Sequence, residues 1–155
     1  MARSSEYKHW MQRIDITDTA KDLELSFPGL FYLRTDGIYD IGKAKNIYTE
    51  TYADSDDLRV FLPNGGVYTN EATKITMHFL ATGSNSAQRL ALVRIFCEYV
   101  RQGIHRYWDD ARNLEFDFIV TDEIKVSDER WHGTTPYVEI SVPMQNLKGK
   151  ARVHS

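Results

Sequence analysis

Residues 86–103 read SAQRLALVRIFCEYVRQG, and their apolar side chains recur every three or four positions. This spacing predicts an amphipathic helix over about 86–102, with one apolar stripe turned to the core. The expected stripe consists of Leu90, Val93, Phe96, Cys97 and Val100. Asn85, followed three residues later by Gln88, fits a capping box, and Gly103 fits the position just past the helix end.

Segments on both sides of this helix alternate between apolar and polar residues, which is typical of half-buried β-strands. The clearest of them are residues 75–81, 114–120 and 137–144. Weaker strand patterns cover 22–27, 30–34, 46–52 and 58–62, with a bend at Pro28-Gly29 and turn chemistry at 35–42, 53–57 and 63–70. The predicted fold class is mainly β (α+β), an antiparallel β-sandwich or open barrel with one flanking α-helix at about 86–102.

The composition is that of an ordinary globular protein, with 42% hydrophobic and 26% charged residues among 155. A chain of this length buries roughly 70% of its unfolded surface, so we expect a single domain over residues 1–155. The polar residues 1–21 fit either a short helix or an N-terminal arm that orders on a neighbour. The basic residues 148–155 fit a loose C-terminal tail.

Charge and cysteine content exclude several classes of protein. A formal net charge of -3 argues against a broad nucleic-acid or anionic-membrane footprint, so we expect no specific nucleic-acid binding and no membrane partner. The N-terminus lacks the apolar region of a signal peptide, and no apolar run is long enough to span a bilayer. The single Cys97 cannot form an internal disulfide, and we expect a product made in the cytoplasm.

No sequence pattern predicts a metal or cofactor site. The five histidines are far apart and have no ligand spacing: His9, His78, His105, His132 and His154. The acidic run Asp54, Asp56, Asp57 fails the calcium-loop pattern, because Arg59 and Gly65 stand where that loop needs Gly and Glu. We therefore interpret the run as a solvated turn, and we expect no metal and no cofactor.

No pattern predicts a catalytic residue either. Cys97 lies on the helix stripe, where a thiol behaves as a small hydrophobe, and no Gly-x-Ser-x-Gly elbow or phosphate-binding glycine loop occurs. Asp109 and Asp110 could do acid–base chemistry, but adjacent acids are common on surfaces. Three further acids alternate along predicted strands and are interpreted as a solvated face: Glu115, Asp117 and Glu139. We expect a protein that is not an enzyme.

The order of elements from residue 72 onward resembles the phage tail-tube and distal-tail (tail hub) superfamily. The resemblance rests on ATKITMHFLATGSNS, the helix ALVRIFCEYVRQG, the segment IHRYWDDARNLEFDFIVTDEI and the closing strand TPYVEISVPMQNLKGK. It implies a β-sandwich with one flanking helix that builds rings, often hexameric. The earlier stretch GIYDIGKAKNIYTETYADSDDLRVFLP resembles the hairpin and loop region with which that family contacts adjacent rings.

The resemblance implies a non-enzymatic structural protein of a phage or prophage tail, of the tail tube, hub or tail-completion type. Its partners would be copies of itself in a homo-oligomeric ring and other tail proteins, and it would end in the virion tail. Aromatic residues in polar, turn-rich segments fit the oligomer contacts, because interfaces are enriched in Tyr and Trp. These candidates are Trp10, Tyr39, Tyr48, Tyr52 and Tyr68.

A second hypothesis is a β-sandwich module that binds a small ligand or a carbohydrate. The segment GIHRYWDDAR combines basic and aromatic residues, and Trp131 lies in a loop-like region between strands. Stacking on Tyr107, Trp108 and Trp131 would then hold a sugar or a base. Alternatively, Tyr107 and Trp108 pack at the junction between helix and strand.

Overall fold

The structure is a computed structural model, and it describes residues 7–45, 48–51, 58–61 and 70–154. Within these ranges the chain forms two helices, α1 (Leu23–Ser26) and α2 (Ser86–Arg101). The strands are β1 (His9–Arg13), β2 (Lys21–Asp22), β3 (Leu30–Asp36), β4 (Tyr48–Thr51), β5 (Leu58–Phe61), β6 (Thr73–Thr82), β7 (His105–Asp109), β8 (Leu114–Ile119), β9 (Lys125–Val126), β10 (Arg130–His132), β11 (Thr135–Asn146) and β12 (Arg152–Val153).

Antiparallel pairing joins ten of these strands into one main sheet. Its central order is β2-β1-β7-β8-β11-β6-β3, with β9 and β10 added to β11 and β12 added to β8. The longest pairing, between β6 and β11, places Ile75, Met77 and Phe79 beside β11 residues that are also buried. The predicted mainly β fold with a flanking helix is confirmed.

The main sheet curls so that side chains of β1 reach β3, which gives the shape of an open barrel. His9 on β1 stacks on Tyr32 of β3 with ring centroids 4.0 Å apart. Arg112 donates a hydrogen bond of 3.0 Å to the Tyr32 hydroxyl from the turn after β7. Side-chain contacts therefore connect β1 and β3, while the backbone edge of β3 stays unpaired among the described strands.

Helix α2 begins as the sequence predicts. The Asn85 side chain accepts a hydrogen bond of 2.9 Å from the Gln88 backbone N–H. The Gln88 side chain reaches back, but it accepts from the N–H of Ser84, at 3.0 Å, one residue earlier than in a regular capping box. The helix ends at Arg101, and Gly103 follows with a φ of 72°.

The buried stripe of α2 keeps Val93, Phe96 and Val100 of the predicted one, but it adds Leu92 and leaves Cys97 half-buried. Phe96 is fully buried, and its ring meets Phe27 and Phe79 edge-on at 5.4 and 4.8 Å. Leu90, expected in the core, is 50% exposed, so this part of the prediction was wrong. Arg89 is buried one position earlier, because it pairs with Glu129 at 2.8 Å and donates to the Gly83 carbonyl.

Within residues 22–27, predicted as one strand, Leu23–Ser26 instead form the single turn of α1, and Asp22 ends the short β2. Leu23 and Phe27 are buried, whereas Leu25 is largely exposed. A helical turn also places residues four apart on one face, so the burial of Leu23 and Phe27 fits a helix as well as a strand. Leu25 is the residue that distinguishes the two, because a strand would bury it with the others.

Both ends of the described chain belong to the main sheet. Residues 9–13, within the expected N-terminal arm, form neither a helix nor a detached segment. They form β1, which pairs with β7 along its whole length and buries Met11. The expected loose tail is also corrected over its described part. Arg152 and Val153 pair with Glu115 and Leu114 of β8.

Candidate interaction surfaces

The chain leaves the main sheet between β3 and β6. A backbone bridge joins Ala44 to Asn70, so the intervening residues start and finish at one place. Within them β4 and β5 pair antiparallel as a separate two-stranded sheet, from Tyr48↔Phe61 to Thr51↔Leu58. We call residues 45–69 the arm, because its described strands share no ladder with the main sheet.

Tight backbone packing anchors the base of the arm. The Gly42 N–H donates to the Gly149 carbonyl at 2.7 Å, and the Glu71 N–H donates to the Lys43 carbonyl at 2.6 Å. A Cβ added at Gly42 or Gly149 would collide with the backbone oxygen of Glu71. Three stretches that are distant in sequence therefore cross here so closely that only glycine fits at positions 42 and 149. This packing fixes where the arm begins.

The five aromatic residues expected at oligomer contacts fall in different places. Tyr39 is 74% exposed in the turn after β3, which suits an interface residue. Trp10 is half-buried on β1. Tyr48 begins β4, while Tyr52 and Tyr68 lie outside the described residues.

A row of stacked rings crosses the solvent side of β1 and β7. Trp10 and Trp108 are cross-strand partners, and their rings lie 6.3 Å apart at an angle of 12°. His154 stacks on Trp108 at 4.5 Å, and the Lys8 ammonium lies 5.7 Å from the centre of the Trp10 ring. Both tryptophans are half-buried, so part of each side chain stays accessible.

Two carboxylates lie beside this row on β8, and they are buried although the sequence predicts a solvated face. Glu115 and Asp117 accept hydrogen bonds from Arg152 at 3.0 and 3.1 Å. Arg106 pairs with the same two groups at 3.0 and 2.8 Å. The prediction failed because β12 and its arginine, which follow 35 residues later, cover these acids. We call this surface the outer face, and it consists of Trp10, Arg106, Trp108, Glu115, Asp117 and Arg152.

The pKa of Asp117 reflects two opposing effects. Burial raises it, but hydrogen bonds from Arg106 and Arg152 lower it by more, so the pKa of Asp117 lies below its ordinary value. The same contact with Asp117 raises the pKa of Arg106. Both side chains therefore stay charged at neutral pH, and the carboxylate holds the guanidinium in place.

The residues of the stacking hypothesis are not brought together as one platform. Tyr107 is fully buried, and Trp108 points to the opposite face of β7. Trp131 is 64% exposed on β10, a strand that pairs with β11. Trp131 is the member of the three whose ring is open to solvent.

A buried polar network lies at the seam of the barrel. The Tyr107 hydroxyl is 2.9 Å from His9 Nδ1 and donates to Asp109 at 3.4 Å. Arg112 binds the Asp109 carboxylate through Nε and a terminal nitrogen at 2.9 and 2.7 Å. Sequence reasoning placed Asp109 on the surface, and this was wrong because Arg112 neutralises it in place. A cavity of about 350 Å³ opens beside the network, next to Tyr32.

Burial dominates the chemistry of this network. It raises the pKa of Tyr107 well above the usual value, and the nearby Tyr32 and Asp109 add to the effect. Tyr107 therefore stays protonated at neutral pH. With Asp109 held by Arg112, the geometry suits a latch between β7 and β3 rather than a proton-transfer site.

His78 on β6 lies between carboxylates and a serine. Its Nε2 is 2.9 Å from Asp36, and its Nδ1 is 3.1 Å from the Ser141 hydroxyl and 3.3 Å from Glu139. These residue types match a Ser-His-Asp triad, but Glu139 competes with the serine for the same ring nitrogen. Asp36 is also largely exposed, so water screens its effect on the imidazole. The arrangement suits a surface ion cluster.

Two further observations concern the described part of the chain. In these ranges no group of three or more His, Cys, Asp or Glu side chains is placed to hold a metal ion. Nor does any helix there combine the length and the apolar character needed to cross a membrane.

Comparison with known proteins gives structural neighbours but no sequence relatives. No family model matches the chain, and no curated protein matches it. The chain is similar to a chain from the structure of the phage P2 baseplate in its activated conformation with Ca, and to one from the same baseplate with Sr. Each alignment has 11% identity and a TM-score of 0.48, and covers 89% of this chain and 44% of that chain. The chain thus spans less than half the length of the solved chains that it matches.

Proposed function

We propose that this protein is a non-enzymatic structural component of a phage or prophage tail, of the tube, hub or tail-completion type. In this proposal it assembles with copies of itself into rings and contacts other tail proteins. The observation that carries the proposal is the arm. It lies in the stretch that resembles the ring-contacting hairpin and loop region of the tail-tube and distal-tail superfamily. Its strands β4 and β5 pair with each other outside the main sheet.

An unpaired sheet edge supports assembly. Among the described strands, β3 pairs with β6 alone and ends the main sheet. Leu33 on this strand is partly exposed, and the register shifts between Tyr32 and Arg34. An edge of this kind can accept a strand from another chain, with backbone hydrogen bonds setting the register.

Removing the arm tests the proposal. Because Ala44 and Asn70 are bridged, an Asn-Gly turn can replace residues 46–69 without separating β3 from β6. We expect the thermal melt of the monomer to change little and the rings to be lost. The measurements are light scattering across a concentration series and electron microscopy of the concentrated protein.

A matched control is Trp131→Ser, which removes an exposed aromatic residue far from the arm in sequence. This variant should assemble like the intact chain. Trimming the N-terminus to residue 16 is not a clean test, because it would remove β1 and Met11 from the sheet. If the intact chain stays monomeric at millimolar concentration, or the armless chain forms the same rings, the proposal is wrong.

A further inference from the structure

The outer face presents positive charge to solvent although it contains two acids. The side chains of Glu115 and Asp117 are only 8% and 5% exposed. Those of Arg106 and Arg152 are 34% and 29% exposed, and Lys148 beside them is 60% exposed. A partner therefore meets guanidinium and ammonium groups first, while the carboxylates lie beneath them.

These cations are held in place before any partner arrives. Arg106 and Arg152 each bind both buried carboxylates, so little side-chain entropy remains to be lost on binding. Trp108 lies two residues from Arg106 on the same side of β7, with Trp10 and Glu115 as its cross-strand partners. Exposed arginine next to tryptophan is the composition of binding hot spots. Asp110 is an exposed acid at the row, and it accepts a hydrogen bond from Trp10.

The sequence of the arm supplies a complementary segment. Residues 52–57 read YADSDD and connect β4 to β5, with three aspartates in four positions. No other four-residue window in the chain has as many acids. We infer that the outer face is a docking site for this acidic turn of a second copy of the chain. The inference rests on the proposed self-assembly.

The anchoring of the arm favours a second copy over docking within one chain. Gly149, the neighbour of Lys148, packs against Glu71 at the base of the arm, so the base adjoins the outer face. Ten residues separate Ala44 from Asp54, and an extended chain spans up to about 33 Å over that length. The inferred contact therefore joins the acidic segment of one copy to the outer face of its neighbour. Repetition of this head-to-tail contact gives a closed ring or a stack.

Charge exchange tests the docking. One variant carries Asp54→Lys, Asp56→Lys and Asp57→Lys, and a second carries Lys8→Glu and Lys148→Glu, two exposed positions. In the first variant alone, lysines face the cations of the outer face, and in the second alone, the two introduced glutamates face the aspartates beside the unchanged Arg106 and Arg152. In each case the attraction is weakened, and we expect assembly to need at least about tenfold more protein. In an alternating ring of an equal mixture, the introduced lysines meet the introduced glutamates and the unaltered aspartates meet the unaltered face, so assembly should return.

The control is Lys74→Glu, an exposed charge reversal on β6 that should leave assembly unchanged. Unaltered thermal melts of all variants establish that they fold, and sedimentation measures their assembly at low and high salt. If the mixture fails to assemble while the intact chain does, the docking site is wrong and the proposed function stands. An intact chain that never assembles overturns both.

Discussion

The fully buried Phe96 and the half-exposed Leu90, both on α2, give a sharp test of how the helix packs. We compare Phe96→Ala with Leu90→Ala. Removing the Phe96 ring leaves a cavity between Phe27 and Phe79, which hold it from two sides. Removing the Leu90 side chain leaves a shallower notch at the surface.

The two substitutions differ in expected magnitude. Replacing a buried phenylalanine by alanine costs about 3–5 kcal/mol of unfolding free energy. Two edge-on ring contacts are lost as well, each worth roughly 0.5–1.5 kcal/mol, so we expect the upper part of that range. Leu90 buries about half of its side chain, which corresponds to about 1 kcal/mol. The better helix propensity of alanine slightly reduces this loss.

Urea unfolding followed by circular dichroism at neutral pH measures both values. The slope with denaturant should stay unchanged, because neither substitution alters the surface that unfolding exposes. Equal costs for the two variants, or a cost below about 2 kcal/mol for Phe96→Ala, would refute the assigned orientation of α2.

Three further predictions concern titratable groups. Asp117→Asn should lower the free energy of unfolding by about 1.5–3 kcal/mol at pH 7, as measured by urea unfolding. Because the pKa of Asp117 is lowered in the folded state, this loss should become smaller as the pH falls below the ordinary value of 3.8. Burial lowers the pKa of His105, so the melting temperature of the intact chain should fall as pH drops below 6.5, and His105→Gln should flatten this slope. Burial raises the pKa of Cys97, so a thiol reagent at pH 7 should label it more slowly in the native protein than in urea, and equal rates would contradict its placement.

The sequence correctly predicted those elements whose burial depends on residues only a few positions apart in the chain. The cap at Asn85, the strands of the β6–β11 pair and most of the α2 stripe follow from periodicity and capping chemistry. Arg89 could not be foreseen in the core, because its partner Glu129 lies 40 residues away. A charged side chain is buried only when such a partner reaches it.

The burial of the acids on the outer face depends more strongly on pairing between strands that are distant in sequence. Glu115 and Asp117 alternate with apolar residues as a solvated face would, and only the return of β12 beside β8 covers them. Likewise, the sequence of β7 was interpreted as a junction between the helix and the next strand, yet β1 and β8 pair with it on both sides. The position of the arm could be predicted, because turn chemistry and two short strands are local features.

The pairing of β1 with β7 also sets an order of events during protein synthesis. His9 lies 98 residues before Tyr107, its contact across the sheet. At typical translation rates, roughly 5–20 s pass between the synthesis of the two. The first strand, including the apolar Met11, therefore leaves the ribosome long before its partner exists, and β12 is made later still. Nascent chains that stall before β7 carry an unsatisfied strand edge, which makes them candidates for capture by chaperones.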